Sequence, residues 1–349
     1  MNADDAVALL KKIIAIPSFS REEGAVAELL ETTWRSCGYE PERKGNNVWV
    51  CSRQFDRNKP TILLDAHIDT VKPNGAWETD PFLPVERDGK LYGLGSNDTG
   101  GSIVSMMAAF LRLERTEQPF NLICLASAEE ENTGKGGIQS VVEELSPVAL
   151  ALIGEPTGMH AAIAEKGLMV LDCTAQGKSG HAAREEGINA IYEALPDIDW
   201  FRNHRFEKES PLLGRVKMSV TGIRAGSLHN VVPAECTFTV DIRVNEFYTN
   251  EAVYDAVRKA VKSDVSPRSF SLNSSSIPEE HPVVQRCKEL GRTLYGSPTT
   301  SNQAVIPWPS LKIGPGDSAR SHTADEYIRP EEIREGIDIF VRLLDGLKL

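Results

Sequence analysis

Hydrophobic and polar positions in this chain follow two rhythms, and the change between them falls near residue 166. Ahead of it, helical periodicity alternates with short apolar runs. The opening "MNADDAVALLKKIIAIPS" spaces its apolar residues along one face of an amphipathic helix. "SREEGAVAELLETTW" does the same, and Ser20 with Glu23 at its start has the spacing of a capping box. "NNVWVCS", "TILLDAHI", "FNLICLAS" and "VALALIGE" are short apolar runs that read as buried strands. "GGSIVSMMAAFLRL", lying among them, reads as a helix entered through glycines. This alternation predicts an α/β domain built on a mainly parallel sheet. Ligands of such sheets gather at the carboxyl ends of the strands. The tails of three of these runs are "AHIDT", "ASAEEEN" and "IGEPT", and each carries a carboxylate or a histidine.

Beyond residue 166 the strands lengthen and take up period-two alternation. "LMVLDCTAQG", "RVKMSVTGIRAG" and "CTFTVDIRV" read as strands, with helical "GINAIYEAL" and "NEAVYDAVRKAVKS" between or after them. The expectation is an inserted α+β domain over 167–274, interrupting an α/β domain made of 1–166 and 275–349. The polar stretch "NSSSIPEEHP" marks the exit. A helix follows at "VVQRCKELGRTLYG", and "REGIDIFVRLLDGL" closes the chain as another. There is no internal repeat.

Composition narrows the function classes. A chain of 349 residues is long enough for two domains. Its 41% hydrophobic and 25% charged content is that of a soluble globular protein. The formal charge of −12 argues against nucleic acid as a main partner, because phosphate binding needs a basic surface. No apolar stretch approaches the ~20 residues of a membrane span. The first residues lack the basic region of a signal peptide. Six dispersed cysteines without a CxxC pair read as reduced thiols, so a cytoplasmic location is expected.

The chemistry-bearing residues stand at the strand tails. In an extended chain residues i and i+2 face one way, so His67 and Asp69 would share a face just past an apolar run. They read either as a satisfied polar pair or as a metal-binding histidine oriented by a carboxylate. "YGLGSNDTGG" sets Asp98 among glycines before a helix, where an N-cap is the ordinary reading. Glu129, Glu130 and Glu131 follow another strand, Glu155 a third, and His322 lies in a polar segment near the C-terminus. Each has a plain structural explanation alone; together, their shared placement at the ends of predicted strands or in their loops points to one site.

In order, "AHID", "GLGSNDTGG", "AEEE", "GEPT" and "HTADE" resemble the motifs of the zinc metallohydrolase family that contains acetylornithine deacetylase, succinyl-diaminopimelate desuccinylase, aminoacylase and carboxypeptidase G. The resemblance spans about residues 60–327 and implies a site for two Zn²⁺, with Co²⁺ as a substitute. It implies Asp98 as the bridging ligand, His67 and Glu155 on one metal, Glu131 and His322 on the other, and Asp69 orienting the His67 ring. Nitrogen and oxygen donors suit zinc. Glu130 would be the general base, with Glu129 taking the place of the family's usual aspartate. Neighbouring residues on a regular strand point opposite ways, so Glu130 and Glu131 can converge only in a turn. The resemblance also implies a cis peptide between Asp98 and Thr99.

Within the insert, His181 of "GKSGHAAREEG" matches the family's lid histidine, implied to enter the partner subunit's site and donate to the oxyanion. "HNVVPAECTFTVDIRV" suggests Asn230 and Arg243 as substrate-carboxylate contacts, with Gly314, Gly316 and Arg320 as further candidates. The implied protein is a homodimer paired through the lid, acting on a small N-acyl amino acid, with no nucleic-acid or membrane partner. N2-acetyl-L-ornithine, giving acetate and ornithine in arginine biosynthesis, is the leading substrate. N-acetylcitrulline, N-acetyllysine, N-succinyl-diaminopimelate and dipeptides stay open. A metal-bound protein without catalysis is the reading from another class.

Overall fold

A computed structural model of the chain describes residues 1–184 and 186–349. Glu185, within the "REEG" stretch, lies outside them. The chain forms two compact units. One comprises Met1–Ile163, Ser276–Tyr295 and Ser301–Leu349; the other comprises Ala164–Ser275 and Gly296–Thr300.

The first unit is α/β. Three strands, Asn121–Ser127, Thr61–His67 and Leu150–Ile153, lie side by side and parallel, and Ser310–Lys312 extends the parallel set beyond Leu150–Ile153. Asn47–Cys51 adds an antiparallel neighbour on the other flank. Every residue of Thr61–His67 and Asn121–Ser127 is buried, as expected for strands covered on both faces. Leu63, Ile123, Leu125 and Ile153 form one face's core with Ile138, Val141 and Leu145. The helix Gly101–Leu113 packs against the Thr61–His67 strand, and Ala3–Ile14 and Pro330–Leu344 pack on that helix. The register sets His67 opposite Ser127, so the parallel strands end nearly level. Their following residues therefore emerge at one edge, which brings 67–69, 129–131 and 155 to one place.

Several local expectations are corrected. The second helix is Gly24–Ser36, with Glu23 as N-cap and no side-chain cap bond. Ser20 instead donates to Asp69, and the buried Glu23 carboxylate accepts from the Arg21 and Glu129 amides and from Asn46 Nδ2. A long-range use of both polar groups has displaced the local cap. The helix read over "VVQRCKELGRTLYG" stops at Glu289, and Leu294–Ser297 is a strand. Gly291 at φ +70° breaks the helix there. A small antiparallel sheet of Val85–Arg87, Lys90–Tyr92 and Tyr327–Ile328 had no clear periodicity to announce it.

The second unit is a four-stranded antiparallel sheet in the order Lys217–Ala225, Glu235–Val244, Gly167–Gln176, Asp264–Pro267. Glu235–Val244 alternates buried and part-exposed residues along most of its length, the period-two pattern of a sheet covered on one face. Met169, Leu171, Phe238, Val240 and Ile242 pack on Ala194 and Phe201 of the helix Ala190–Asn203 and on Val253 and Val257 of Asn250–Ala260. All six cysteines are unpaired. Among the described residues, no helix is long and apolar enough to cross a membrane.

Candidate metal centre

His67 ends its strand with a buried ring. Nδ1 lies 2.9 Å from the Asp69 main-chain carbonyl and 3.5 Å from the Asp69 carboxylate, so the carbonyl is the nearer partner. With Nδ1–H directed at that carbonyl, Nε2 faces Asp98 Oδ1 at 3.3 Å. A proton on Nε2, or a cation between the two atoms, would each satisfy this contact. Burial opposes charge on the ring, but its contacts with Asp69 and Asp98 outweigh burial and hold the pKa well above the usual value.

The Asp69 carboxylate is engaged beyond the ring. It accepts from Ser20 Oγ at 2.7 Å and from the main-chain amides of Glu130 at 3.0 Å and Glu131 at 3.1 Å. Burial pushes its pKa up, yet His67, Ser20 and the Glu130 amide pull it below the ordinary carboxylate range.

The acidic triplet does form a turn. Glu129 has φ +54°, and the amides of Thr133 and Gly134 return to the carbonyls of Glu130 and Glu129 at 2.8 Å each. The two following carboxylates thereby reach different histidines. Glu131 lies 3.0 Å from His322 Nε2, and Glu130 lies 4.0 Å from His67 Nε2.

Asp98 sits between the two rings. Its Oδ1 approaches His67 as above, and its Oδ2 lies 3.5 Å from His322 Nε2. The Asp98–Thr99 peptide is cis, as the resemblance implies. His322, at φ +58° and exposed, is raised to about 9, first by its hydrogen bond to Glu131. Glu130 is raised to about 8 by burial, with the charges of Glu131, Asp98 and Asp69 adding to it. Glu155, half-buried, is raised well above the usual value by burial and then by Glu130 and Asp98. These carboxylates are packed too closely to ionise together without compensating positive charge. That donor set fits divalent cations, and ligand atoms of His67, Asp98 and Glu131 all lie within 4.8 Å of one another.

The other candidates fall in two groups. In the first unit, Gly314 donates its amide to Thr157 Oγ1 at 3.1 Å. A Cβ on Gly314 would meet Ser102 Oγ at 2.4 Å, and one on Gly316, at φ +90°, would meet Asn97 Oδ1 at 2.3 Å. Close packing alone therefore requires both glycines. Arg320 is bidentate to Glu332 at 2.8 and 3.0 Å. In the second unit, His181 pairs with Val231 and Ala182 donates to the Asn230 carbonyl, so His181 and Asn230 are neighbours on an exposed strand pair. Arg243 has its fork on Asp241 of its own strand, at 2.9 and 3.1 Å.

Sequence reasoning passed over Glu326. It is buried and accepts from the amides of Gly95, Asn97 and Asp98 at 3.0, 2.8 and 2.9 Å. Its only signal was position, four residues after His322 in "HTADE".

The model of peptidase family M20/M25/M40 matches residues 63–346. The succinyl-diaminopimelate desuccinylase of Anaplasma marginale is 26% identical over 374 residues, covering 99% of this chain and 97% of that protein. The acetylornithine deacetylase of Photorhabdus laumondii is 27% identical over 374 residues, covering 97% and 96%. A solved structure of a dinuclear metal-binding peptidase from Bacillus subtilis shares the fold with a TM-score of 0.76 at 15% identity, covering 98% of this chain and 97% of that one. The family match and these relatives make the chain a hydrolase acting on amide bonds. The chain belongs to peptidase family M20/M25/M40.

Proposed function

We propose that this chain is a deacylase of N-acyl amino acids working with two divalent metal ions, taken as zinc, and that its substrate is N2-acetyl-L-ornithine, released as acetate and L-ornithine. The observation that carries the two-metal reading is Asp98, whose two oxygens address His67 and His322 separately, at 3.3 and 3.5 Å. In this reading Asp98 would be shared by both ions, His67 and Glu155 would hold one, and Glu131 and His322 would hold the other. Ions held there would supply Lewis-acid polarisation of the scissile carbonyl and a more acidic water. Glu130 takes a proton from the attacking water and passes it to the leaving amine nitrogen. Asp69 fixes the turn from which Glu130 acts.

His181, with Asn230 beside it, donates a hydrogen bond to the developing oxyanion from the partner subunit. The dimer this requires is supported by exposed Tyr192 and Leu195 on the helix Ala190–Asn203 and Ile223 on the outer strand Lys217–Ala225. Arg243 would have to leave Asp241 to hold a substrate carboxylate, and Arg320 would have to leave Glu332. Six unpaired cysteines suit a cytoplasmic enzyme.

N-succinyl-diaminopimelate is the second reading, favoured by the desuccinylase relatives at similar identity. The test is amine release by chelated protein before and after adding Zn²⁺ or Co²⁺, with N-acetylornithine, N-acetylcitrulline, N-succinyl-diaminopimelate and a dipeptide in parallel. Metal-restored turnover preferring N-acetylornithine is expected. Preference for another member moves the substrate and keeps the chemistry. Silence on all four by metal-loaded protein overturns these substrates, reopening the substrate class and the reading as a metal-bound binding protein.

A further inference from the structure

We infer that Glu326 is a positioning residue for the metal centre: its buried carboxylate clamps the main chain that carries Asp98, and so ties the Asp98 and His322 ligands into one unit. The inference rests on the metal-centre reading above.

The argument starts from unsatisfied backbone groups. The chain turns sharply from Gly95 through Asp98 before the helix Gly101–Leu113, and Asp98 has φ −118° and ψ 88°, outside helical values. The amides of Gly95, Asn97 and Asp98 are buried, and such donors need partners. The side chain of Glu326 supplies all three. Oε2 accepts from Gly95, and Oε1 accepts from both Asn97 and Asp98. The Glu326 carbonyl also accepts from the Gly93 amide at 3.0 Å, so one residue fastens both ends of the turn.

Position in the chain gives this clamp its meaning. Glu326 follows His322 by four residues, and Tyr327–Ile328 then pairs with Lys90–Tyr92. His322 is exposed at φ +58° and has little packing of its own to hold it. Glu326 anchors its segment directly against the backbone of Asp98. The 3.5 Å contact between His322 Nε2 and Asp98 Oδ2 is thus backed by a second link between the same two segments. A site of this kind needs ligands held to ~0.5 Å, which side-chain rotamers alone do not guarantee. Asp325 is the natural comparison. Its carboxylate accepts from Thr79 N, Thr79 Oγ1 and Glu78 N, anchoring the same segment to a loop away from the ligands.

The experiment is Co²⁺ titration of the full-length, chelated protein, followed by absorption spectroscopy and calorimetry, with folding checked by circular dichroism. Glu326→Gln keeps one acceptor oxygen and replaces the other with a donor, so it cannot accept from all three amides. It is expected to weaken Co²⁺ binding about 10- to 100-fold, the usual effect of removing a partner that orients a ligand. It should also alter the visible bands that report ligand geometry. Glu326→Asp keeps the carboxyl group but falls short of the amides, and it serves as the second variant if the glutamine protein does not fold. Asp325→Asn should lower the melting temperature while leaving affinity and bands unchanged. Wild-type affinity and bands in both Glu326 variants would overturn the inference, as would equal losses in Asp325→Asn. Failure of the unsubstituted protein to bind Co²⁺ at all would instead remove the metal-centre reading on which it rests.

Discussion

The carboxylate of Asp69 accepts the main-chain amide of Glu130 at 3.0 Å, and this bond joins the loop after the His67 strand to the acidic turn. Glu131 donates to the same carboxylate at 3.1 Å, and Ser20 completes it at 2.7 Å. Asp69 therefore shapes both halves of the site. Asp69→Ala is expected to weaken metal binding about 10- to 100-fold, because it frees the Glu130–Glu131 turn and removes the carboxylate 3.5 Å from His67 Nδ1, while the nearer Asp69 main-chain carbonyl still holds that ring. Stepwise Co²⁺ titration checks this. A loss confined to one metal would mean that Asp69 acts only on the ring.

Glu130 approaches His67 Nε2 no closer than 4.0 Å, whereas Glu131 lies 3.0 Å from His322. The first distance suits a base beside the metals and the second a ligand. Glu130→Ala should cut kcat by ~10²–10⁴-fold, the usual contribution of a positioned proton carrier. Both metals should remain, measured as metal equivalents per chain. A missing equivalent would shift the register, making Glu130 the ligand.

Gly314 lies beside Glu155. A Cβ there would stand 2.4 Å from Ser102 Oγ and 2.6 Å from the Glu155 carbonyl oxygen. Gly314→Ala must push one of them aside. Overpacking of this kind costs about 1–3 kcal/mol, seen as a lower melting temperature. Because one clash is with the backbone of Glu155, a proposed metal ligand, metal affinity should fall too. Thermal melts with and without added metal separate the two effects: a drop only in the metal-loaded midpoint would show the packing change reaching Glu155 alone.

How much of this was legible depended on whether a feature was local. The buried strand ending at His67 and the helix Gly101–Leu113 were readable from apolar runs, because burial leaves its mark on consecutive residues. The convergence of Glu130 and Glu131 could be stated as a condition, a turn, but not seen. That turn is set by Asp69, which lies in another loop. Ser20 and Glu23 looked like a cap because their spacing is local, while their actual partners, Asp69, Asn46 and Glu129, are distant. Glu326 left only its place in "HTADE", because a carboxylate that serves three amides has no period and no characteristic spacing. The same limit applied to Arg320, whose fork is taken by Glu332 on a later helix, whereas the partner of Arg243, Asp241, stood two residues away on one strand and was readable from spacing.

The last prediction concerns His181. It stands exposed beside Asn230 on the strand pair Gly180–His181 and Val231–Val232, and Ala183 donates to its Nδ1 at 3.2 Å. That contact leaves Nε2 to carry the proton, so the ring can donate outward. If it serves the partner's site, the two defects His181→Ala and Glu130→Ala complement each other in a mixed dimer. The His181→Ala subunit keeps its base and borrows His181 from its partner, which forms one intact site. Each variant alone should be nearly inactive. Unfolding and refolding them together, or co-expressing them, should raise amine release well above either parent. Activity that stays at the parental level while mixed dimers are detected by mass spectrometry would mean that His181 serves its own subunit or none. Substantial activity of His181→Ala alone would remove it from catalysis altogether.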